Sequence, residues 1–418
     1  MTNDNKQVAI VLGGTSPHIH LIELLKARGF FVILIDYYER PPAYQSCHQH
    51  IRESTLDKEA VLKIAGDNNA TLVISTCIDQ ANVTACYVSE RLGLPHPYSY
   101  DTSLLVSDKV PMKQIMHENG IPTSKFVYLN SLDEVDDTGL DYPLIVKPSD
   151  SNSSKGVRKA SNEEELRGYL EEALRISRNN KAIIEEFKSG LEIGLDCMIK
   201  DGEPHIILSR ERRNIQGNKD TIQQIYGSFW PANISETAKN RFSQIAKDIA
   251  KAFDLDNTPL LIQAILGEEN DEINVLEFAP RIGGGENHKI IELMTGYDII
   301  DGSIDSFLGN DINLNYSDSS YIIADNYLYV EPGNFGKVVN YEEFVKDGLI
   351  EYIKIYKSPN SQIGADISSN NRVGALIVKG ADTDEIHQKI KKIVSSIDIL
   401  DTDGNSIMRK DIYNFNDE

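Results

Sequence analysis

The chain has 418 residues, 40% of them hydrophobic and 25% charged, with a formal net charge of -22 and a pI near 4.9. At about 150 residues per domain that length allows two or three domains, and the composition is that of an ordinary globular protein. So acidic a surface repels a phosphate backbone and no basic cluster offsets it, which argues against nucleic acid as a partner.

The opening MTNDNKQVAIVLGG is polar before it enters an apolar run and carries no signal-peptide stretch. The longest aliphatic runs, such as FFVILID, are too short to cross a bilayer. Cys47, Cys77, Cys86 and Cys197 lack paired metal spacing and read as thiols of a reduced compartment. A cytoplasmic protein without membrane contact is the expectation.

From residue 7 the pattern alternates strand and helix: QVAIVLGG, HLIELLKARG, FFVILID, DKEAVLKIAGDNN, ATLVIST and DQANVTACYVSERLGL. This βαβ rhythm predicts a Rossmann-like parallel sheet over residues 1–107. The loop GGTSPH, where the first strand meets a helix N-terminus, favours an anionic group, and Gly14 and His18 are expected to touch substrate there.

A second region, 108–312, opens with the helix DKVPMKQIMHENG and continues with the strand YPLIVKPSD, a Ser/Gly loop and the short strand GVRKA. The helix SNEEELRGYLEEALRIS is expected to open with a capping box, Ser161 with Glu164. Strands KAIIEEF, EIGLDCMIKDG and PHIILSRERR are read as following one another antiparallel, the last two turning at Asp201-Gly202. A helix, SETAKNRFSQIAKDIAKAFD, then leads to a hairpin. Residues 313–418 read as a small α+β domain.

The hairpin PLLIQAILGEENDEINVLEFAPRIGGG carries the chemistry. With its turn near Asn270, Gln263 lies opposite Glu277 and Ile265 opposite Val275. Strict alternation places Ile273, Val275, Glu277, Ala279 and Arg281 on one face. Side-chain oxygens on two adjacent strands suit a hard cation such as Mg²⁺, and Arg281 suits a phosphate. The alternative is a buried Glu277–Arg281 pair with no ligand. Lys147 ends an apolar strand before the serine-rich loop, whose backbone N–H groups suit phosphate; the alternative is a surface lysine beside a loop. Glu185 to Phe187 end another strand, where backbone groups suit an adenine edge, and Glu192 suits ribose hydroxyls. No Walker A sequence occurs.

Taken in order, Lys109, Lys147, the Ser/Gly loop, Glu185 through Glu192, Gln263, Glu277 and Arg281 resemble the ATP-grasp superfamily. Within it, the chain looks most like the biotin-carboxylase-type branch that includes bacterial L-amino-acid ligases. The resemblance implies a Rossmann-like pre-ATP-grasp domain, a two-lobed ATP-grasp domain with a lid over about 122–188, and a small C-terminal α+β domain. It implies ATP as cosubstrate, with Mg²⁺ (Mn²⁺ able to stand in), and joining of a small-molecule carboxylate, such as an amino acid, to an amine. It leaves a homodimer open.

The resemblance also assigns roles. Lys109 and Lys147 would contact ATP phosphates, with Ser153, Ser154 and Gly156 in the lid loop. Glu185 and Phe187 would present backbone to adenine, and Glu192 would hold the ribose. Gln263 and Glu277 would ligate metal, and Arg281 would steady the transferred phosphate. Apart from the resemblance, Gly284 with the rest of the triple glycine is read as lining the substrate, as is His288 (the alternative being a loop histidine with no task), and Arg210 and Arg372 as basic groups that could meet a substrate carboxylate. Arg212 reads rather as a solvated edge-strand residue. Two positions depart from the family pattern: Gln263 stands where an acid is usual and Ala279 where Asn is usual, which weakens the hold on a second metal.

Rival readings remain at this point. VLGGTSPH with Asp36 on the next strand suits a dinucleotide-binding oxidoreductase, although G-x-G-x-x-G is absent. A nucleotide-binding module without catalysis would explain Gln263. A bicarbonate-using or purine-type ligase would use the same residues.

Overall fold

The computed structural model describes residues 7–151, 155–215, 225–267, 272–364 and 371–413. The N-terminal unit contains β1 (Val8–Leu12), α1 (Ser16–Ala27), β2 (Phe31–Ile35), β3 (Gln49–Ile51), α2 (Lys58–Asp67), β4 (Ala70–Ile74), α3 (Asp79–Leu92) and α4 (Tyr100–Ser107). Its strands pair in the order β3-β2-β1-β4, all parallel. β1, β2 and β4 are near-continuous aliphatic runs because helices cover a parallel sheet on both faces. The short β3, Gln49-His50-Ile51, carried no strand signal in the sequence.

The next unit holds α5 (Lys109–Glu118), β5 (Phe126–Leu129), β6 (Leu144–Pro148), β7 (Arg158–Ala160), α6 (Glu163–Ile176) and β8 (Ala182–Glu186). Its strands form an antiparallel sheet of their own, β5-β8-β6-β7, backed by α6 through Leu166, Leu170 and Ala173. The expectation that the KAIIEEF strand runs into the following two is therefore corrected: β8 belongs to this lobe. The expected capping box also shifts by one residue. Asn162 is the N-cap, accepting from Glu165 N–H, and Glu165 reaches back to Ser161 N–H at 2.8 Å. Glu165, at N3, closes the reciprocal pair in place of Glu164.

Then come β9 (Leu191–Lys200), β10 (Glu203–Asn214), β11 (Ile225–Trp230), α7 (Glu236–Ala252), β12 (Thr258–Leu266), β13 (Ile273–Ala279), α8 (Asn287–Thr295) and α9 (Ile299–Leu308). The C-terminal unit adds β14 (Ile322–Leu328), β15 (Gly333–Val339), α10 (Glu342–Lys346), β16 (Tyr352–Ile355), β17 (Ser361–Ile363), β18 (Gly374–Gly380), α11 (Thr383–Ser396) and β19 (Asp398–Asp401). Among the described residues one sheet runs β13-β12-β9-β10-β11-β14-β18-β16. The C-terminal unit thus continues the central sheet through the β11–β14 ladder, Gly227 opposite Asn326. β15, β17 and β19 form a separate antiparallel sheet.

The first and central units share one core. Ile290, Ile291, Met294, Ile299 and Ile304 of α8 and α9 join the cluster built on β1, β2 and β4. Arg28 at the end of α1 bridges Asp301 and Asp305 of α9, each at 2.6 Å. A shared apolar core plus this fork fixes the two units against each other, and the candidate site lies where they meet.

Candidate active site

A cavity of about 640 Å³ opens between the N-terminal loops, the β12–β13 hairpin and the C-terminal unit. Its floor is the hairpin. Gln263 lies directly opposite Glu277, and the Gln263 side-chain amide donates to Glu277 Oε1 at 3.0 Å. The register beyond that pair differs from strict alternation. Ala264, not Ile265, faces Val275, because Leu276 is an extra residue in a β-bulge. Ile273, Val275 and Phe278 all reach the core under α5 and α7, while Glu277, Ala279 and Arg281 line the cavity. The turn near Asn270 lies outside the described residues.

Lys109 opens α5, behind the N-cap Asp108, and its Nζ lies 3.3 Å from Glu277 Oε2 and 2.9 Å from Ser151 C=O. Burial alone would raise the Glu277 pKa. Lys109 first, then Lys147 and Arg281, outweigh it and hold the carboxyl below its usual range. About a third of the side chain still faces the cavity (36%), so solvent moderates this effect.

Lys147 lies off the cavity wall, 8% exposed, with Nζ 2.5 Å from Glu185 Oε1. The other Glu185 oxygen is 2.7 Å from Lys113 Nζ, a fully buried ammonium that also donates to Thr123. Burial raises the Glu185 pKa, but the Lys113 and Lys147 charges carry it down to about 2. Lys113 itself is pushed down, by burial first. Sequence reading missed Lys113. Its only signal was a lysine at i+4 from Lys109, among the core positions Val110, Met112 and Met116 of the same helix.

The adenine expectation needs one correction. Phe187 N–H donates to Pro143 C=O at 3.1 Å and its ring lies under Lys159, so the backbone donor assigned there is already engaged. Glu192 lies off the cavity wall, behind Arg212, which does line it. Glu192 is buried, Oε1 accepts from Arg212 at 2.7 Å, and Oε2 has no partner among the described residues. A buried carboxylate oxygen without a donor is costly and suits hydroxyl donors from a ligand. Arg212 lines the cavity instead of forming the solvated edge the sequence suggested. Ser153 and Ser154 lie outside the described residues. A Cβ at Gly156 would come within 2.8 Å of Ile176 and 3.0 Å of Pro148, and its φ is +75°, which explains the glycine without a ligand.

Arg281 does not pair with Glu277. Its Nε and Nη2 hold both oxygens of Asp79, at 2.6 and 3.0 Å, and Nη1 donates to Ile282 C=O. The fork expected to be open for phosphate is closed by an aspartate at the start of α3. Asp79 carried no signal beyond that of an acid in a first helical turn.

Two expectations in the first loop are also corrected. Gly14 N–H donates to Asp36 Oδ2 at 2.8 Å, and a Cβ there would strike Pro41 at 2.6 Å. His18 is fully buried, hydrogen-bonded to Thr15 at 2.8 Å, and burial lowers its pKa to about 4. Both build the loop, which meets the cavity through Thr15, Ser16 and Pro17. His288 is likewise not on the cavity wall: it stacks on His20, and burial first, then the His20 charge, lowers its pKa to about 4.

Gly284 does line the cavity, beside Asn287. With its amide oxygen toward Arg210, Asn287 accepts from Nη1 at 2.9 Å and donates to Gly284 C=O at 3.2 Å. Arg210 is buried and paired with Asp196 across β9–β10. Arg372 lines the same cavity from the C-terminal unit, laid 3.7 Å from the centre of the Tyr327 ring.

Residues 140–289 match the ATP-grasp domain family. This stretch is similar to an ATP-grasp domain. The chain is 30% identical over 241 residues to the D-alanine–D-alanine ligase of Thermosipho africanus (strain TCF52B), covering 53% of this chain and 60% of that one. It is 23% identical over 314 residues to an L-arginine-specific L-amino acid ligase of Bacillus subtilis, covering 73% and 75%. The match to the formate-dependent phosphoribosylglycinamide formyltransferase of Ignicoccus hospitalis (strain KIN4/I / DSM 18386 / JCM 14125) is 25% identical and covers 44% of this chain and 46% of the relative. The chain thus spans about half the length of several curated relatives. In fold, it matches the L-amino acid ligase of Bacillus licheniformis with a TM-score of 0.79 at 18% identity, covering 95% of this chain and 99% of that one. The mixed α/β ATP-grasp fold expected from sequence is therefore observed. Among the described residues no helix is long and apolar enough to cross a membrane.

Proposed function

We propose that the chain is an ATP-dependent ligase that joins a small-molecule carboxylate, such as an amino acid, to an amine, through an acyl phosphate, with release of ADP and phosphate. One observation carries this reading: Glu277 stands on a cavity floor between Gln263 and Lys109, with Arg281 on the same face. The names of the ligase relatives support it.

The residues fit Mg²⁺–ATP. Among the described residues no cluster of three or more His, Cys, Asp or Glu forms a protein cage for a metal. An ion at this floor would instead be held by one carboxylate, Glu277, a Gln263 oxygen and phosphate oxygens. When bound, Mg²⁺ would supply charge neutralisation on the phosphates. The chain's own groups do the rest. Lys109, 12% exposed, brings a fixed ammonium to the floor. Glu185 orients Lys147, whose charge already acts on Glu277. The unpartnered Glu192 oxygen would accept from ribose hydroxyls. Arg281 would reach a phosphate by exchanging Asp79 for it, two parallel N–H donors being retained. Bringing a carboxylate to 4 Å from a phosphate oxygen costs about 4 kcal/mol per charge pair at an effective dielectric of 20. These cations offset that repulsion.

The test is release of phosphate and ADP when amino acids are mixed pairwise with the protein and MgATP. Glu277→Gln should lower that turnover by about a hundredfold or more while the variant stays folded. Wild-type turnover in the variant would remove Glu277 from the reaction. Bicarbonate-stimulated turnover without an amino acid would select the carboxyphosphate alternative.

A further inference from the structure

We infer that the substrate bound on the C-terminal side of this cavity carries an anionic group beyond the reacting carboxylate, held by Arg372. The inference rests on the ligase reading and names its substrate class. Four of the cationic side chains on the cavity wall already have carboxylates: Lys109 with Glu277, Arg210 with Asp196, Arg212 with Glu192 and Arg281 with Asp79. The C-terminal unit adds Lys354 and Arg372, whereas Asp79 and Glu277 are the carboxylates on the wall among the described residues. In a chain of net charge -22, a cavity with this balance is a local positive site.

Arg372 is built to take a planar anion. Its Nε donates to Tyr329 Oη at 2.7 Å and its plane rests on Tyr327. Those contacts fix the guanidinium without neutralising it, and no carboxylate among the described residues is within ion-pair distance. Nη1 and Nη2 remain for a carboxylate or phosphate, the anions whose geometry matches two parallel N–H donors. Tyr327, Tyr329 and Tyr356 line the same wall and keep it low in dielectric, which strengthens the attraction and penalises a cationic substrate. A substrate with a side-chain carboxylate and one with a phosphate share this chemistry.

The experiment is calorimetric binding to the full chain saturated with a non-hydrolysable MgATP analogue. The probes are glutamate, O-phosphoserine, glutamine and arginine, each run on wild type and Arg372→Gln. Glutamate or O-phosphoserine should bind at least about tenfold tighter than glutamine and arginine; which of the two leads identifies the anion. Arg372→Gln should remove that advantage while affinity for the nucleotide analogue stays unchanged. Glutamine or arginine binding as well as the anions, or none of the four binding, overturns the inference. So does a variant that loses the nucleotide instead. Phosphate release is measured separately with the same probes plus an amine: anion binding without turnover counts against the ligase reading, and turnover with a preference for arginine counts against the inference alone.

Discussion

Replacing Glu185 by glutamine removes the carboxylate that bridges two buried ammonium groups. Lys147 and Lys113 lie 2.5 and 2.7 Å from its two oxygens, and all three side chains are at most 8% exposed. The wild-type trio carries a net charge of +1. Glu185→Gln raises it to +2 and leaves an amide that can donate toward cations it should accept from. Removing one partner of a buried ion pair costs about 3–5 kcal/mol, and here two cations lose the same partner. Burial already lowers the Lys113 pKa, so the variant relieves part of the strain by releasing that proton. We therefore expect a loss near the lower end of this range in urea unfolding at pH 7. Lys113→Met combined with Glu185→Gln returns the site to +1 and should recover at least about 1 kcal/mol relative to additivity. The sign with pH follows from the depressed Glu185 pKa: its contribution is present above the unfolded value of 4.5 and is lost as pH falls toward about 2. A Glu185→Gln variant as stable as wild type, or strictly additive double-variant costs, would refute the triad as an electrostatic unit.

Glu192→Gln replaces the unpartnered oxygen with a donor or a weaker acceptor; KM for MgATP should rise about tenfold with kcat little changed, as expected for loss of uniform binding. Asp79→Ala removes the holder of Arg281, and kcat/KM should fall about tenfold or more while MgADP affinity is retained; a rise in kcat would mean that Asp79 restrains the arginine. His18 is neutral in the fold down to about pH 4, whereas the unfolded chain takes up this proton below 6.5. Stability should therefore decline as pH falls from 6.5 to 4, by about 3 kcal/mol from this residue, and urea unfolding of His18→Gln across that window should show a shallower slope.

The N-terminal parallel sheet and the Gln263–Glu277 pairing were legible in the sequence, because each follows from local periodicity or from one hairpin. What the sequence could not supply were partners fixed by tertiary approach. Asp79 and Arg281 are 202 positions apart and meet because α8 and α9 pack on the first sheet. Lys113 and Glu185 meet because α5 lies beside the β5–β8 lobe, and a lysine on an apolar helix face gives no direction for its ammonium. Gly14 and His18 were read as ligand contacts because their loop precedes a helix N-terminus. Asp36 and Pro41 for the glycine, and Thr15, Ser75 and Thr76 for the histidine, take those contacts first.

The bulge at Leu276 shows how core packing and site geometry are settled together. Phe278 must face the core to meet Phe253 at 4.7 Å, and Val275 and Ile273 are buried in the same cluster. Positions 275 and 278 differ by an odd number, so a regular strand, with its period of two, could bury one but not the other. An extra residue between them resolves the conflict and rotates the strand after it. Glu277 then leaves the face it would share with Val275 and emerges opposite Gln263, beside Lys109. In a regular strand the same carboxylate would point under α7 with no cation to hold it, a placement that burial would oppose strongly. The hydrophobic pattern thus selects an irregular strand, and the irregularity delivers the acid to the cavity floor. Deleting Leu276 should therefore cost both core packing and MgATP-dependent turnover, in one lesion.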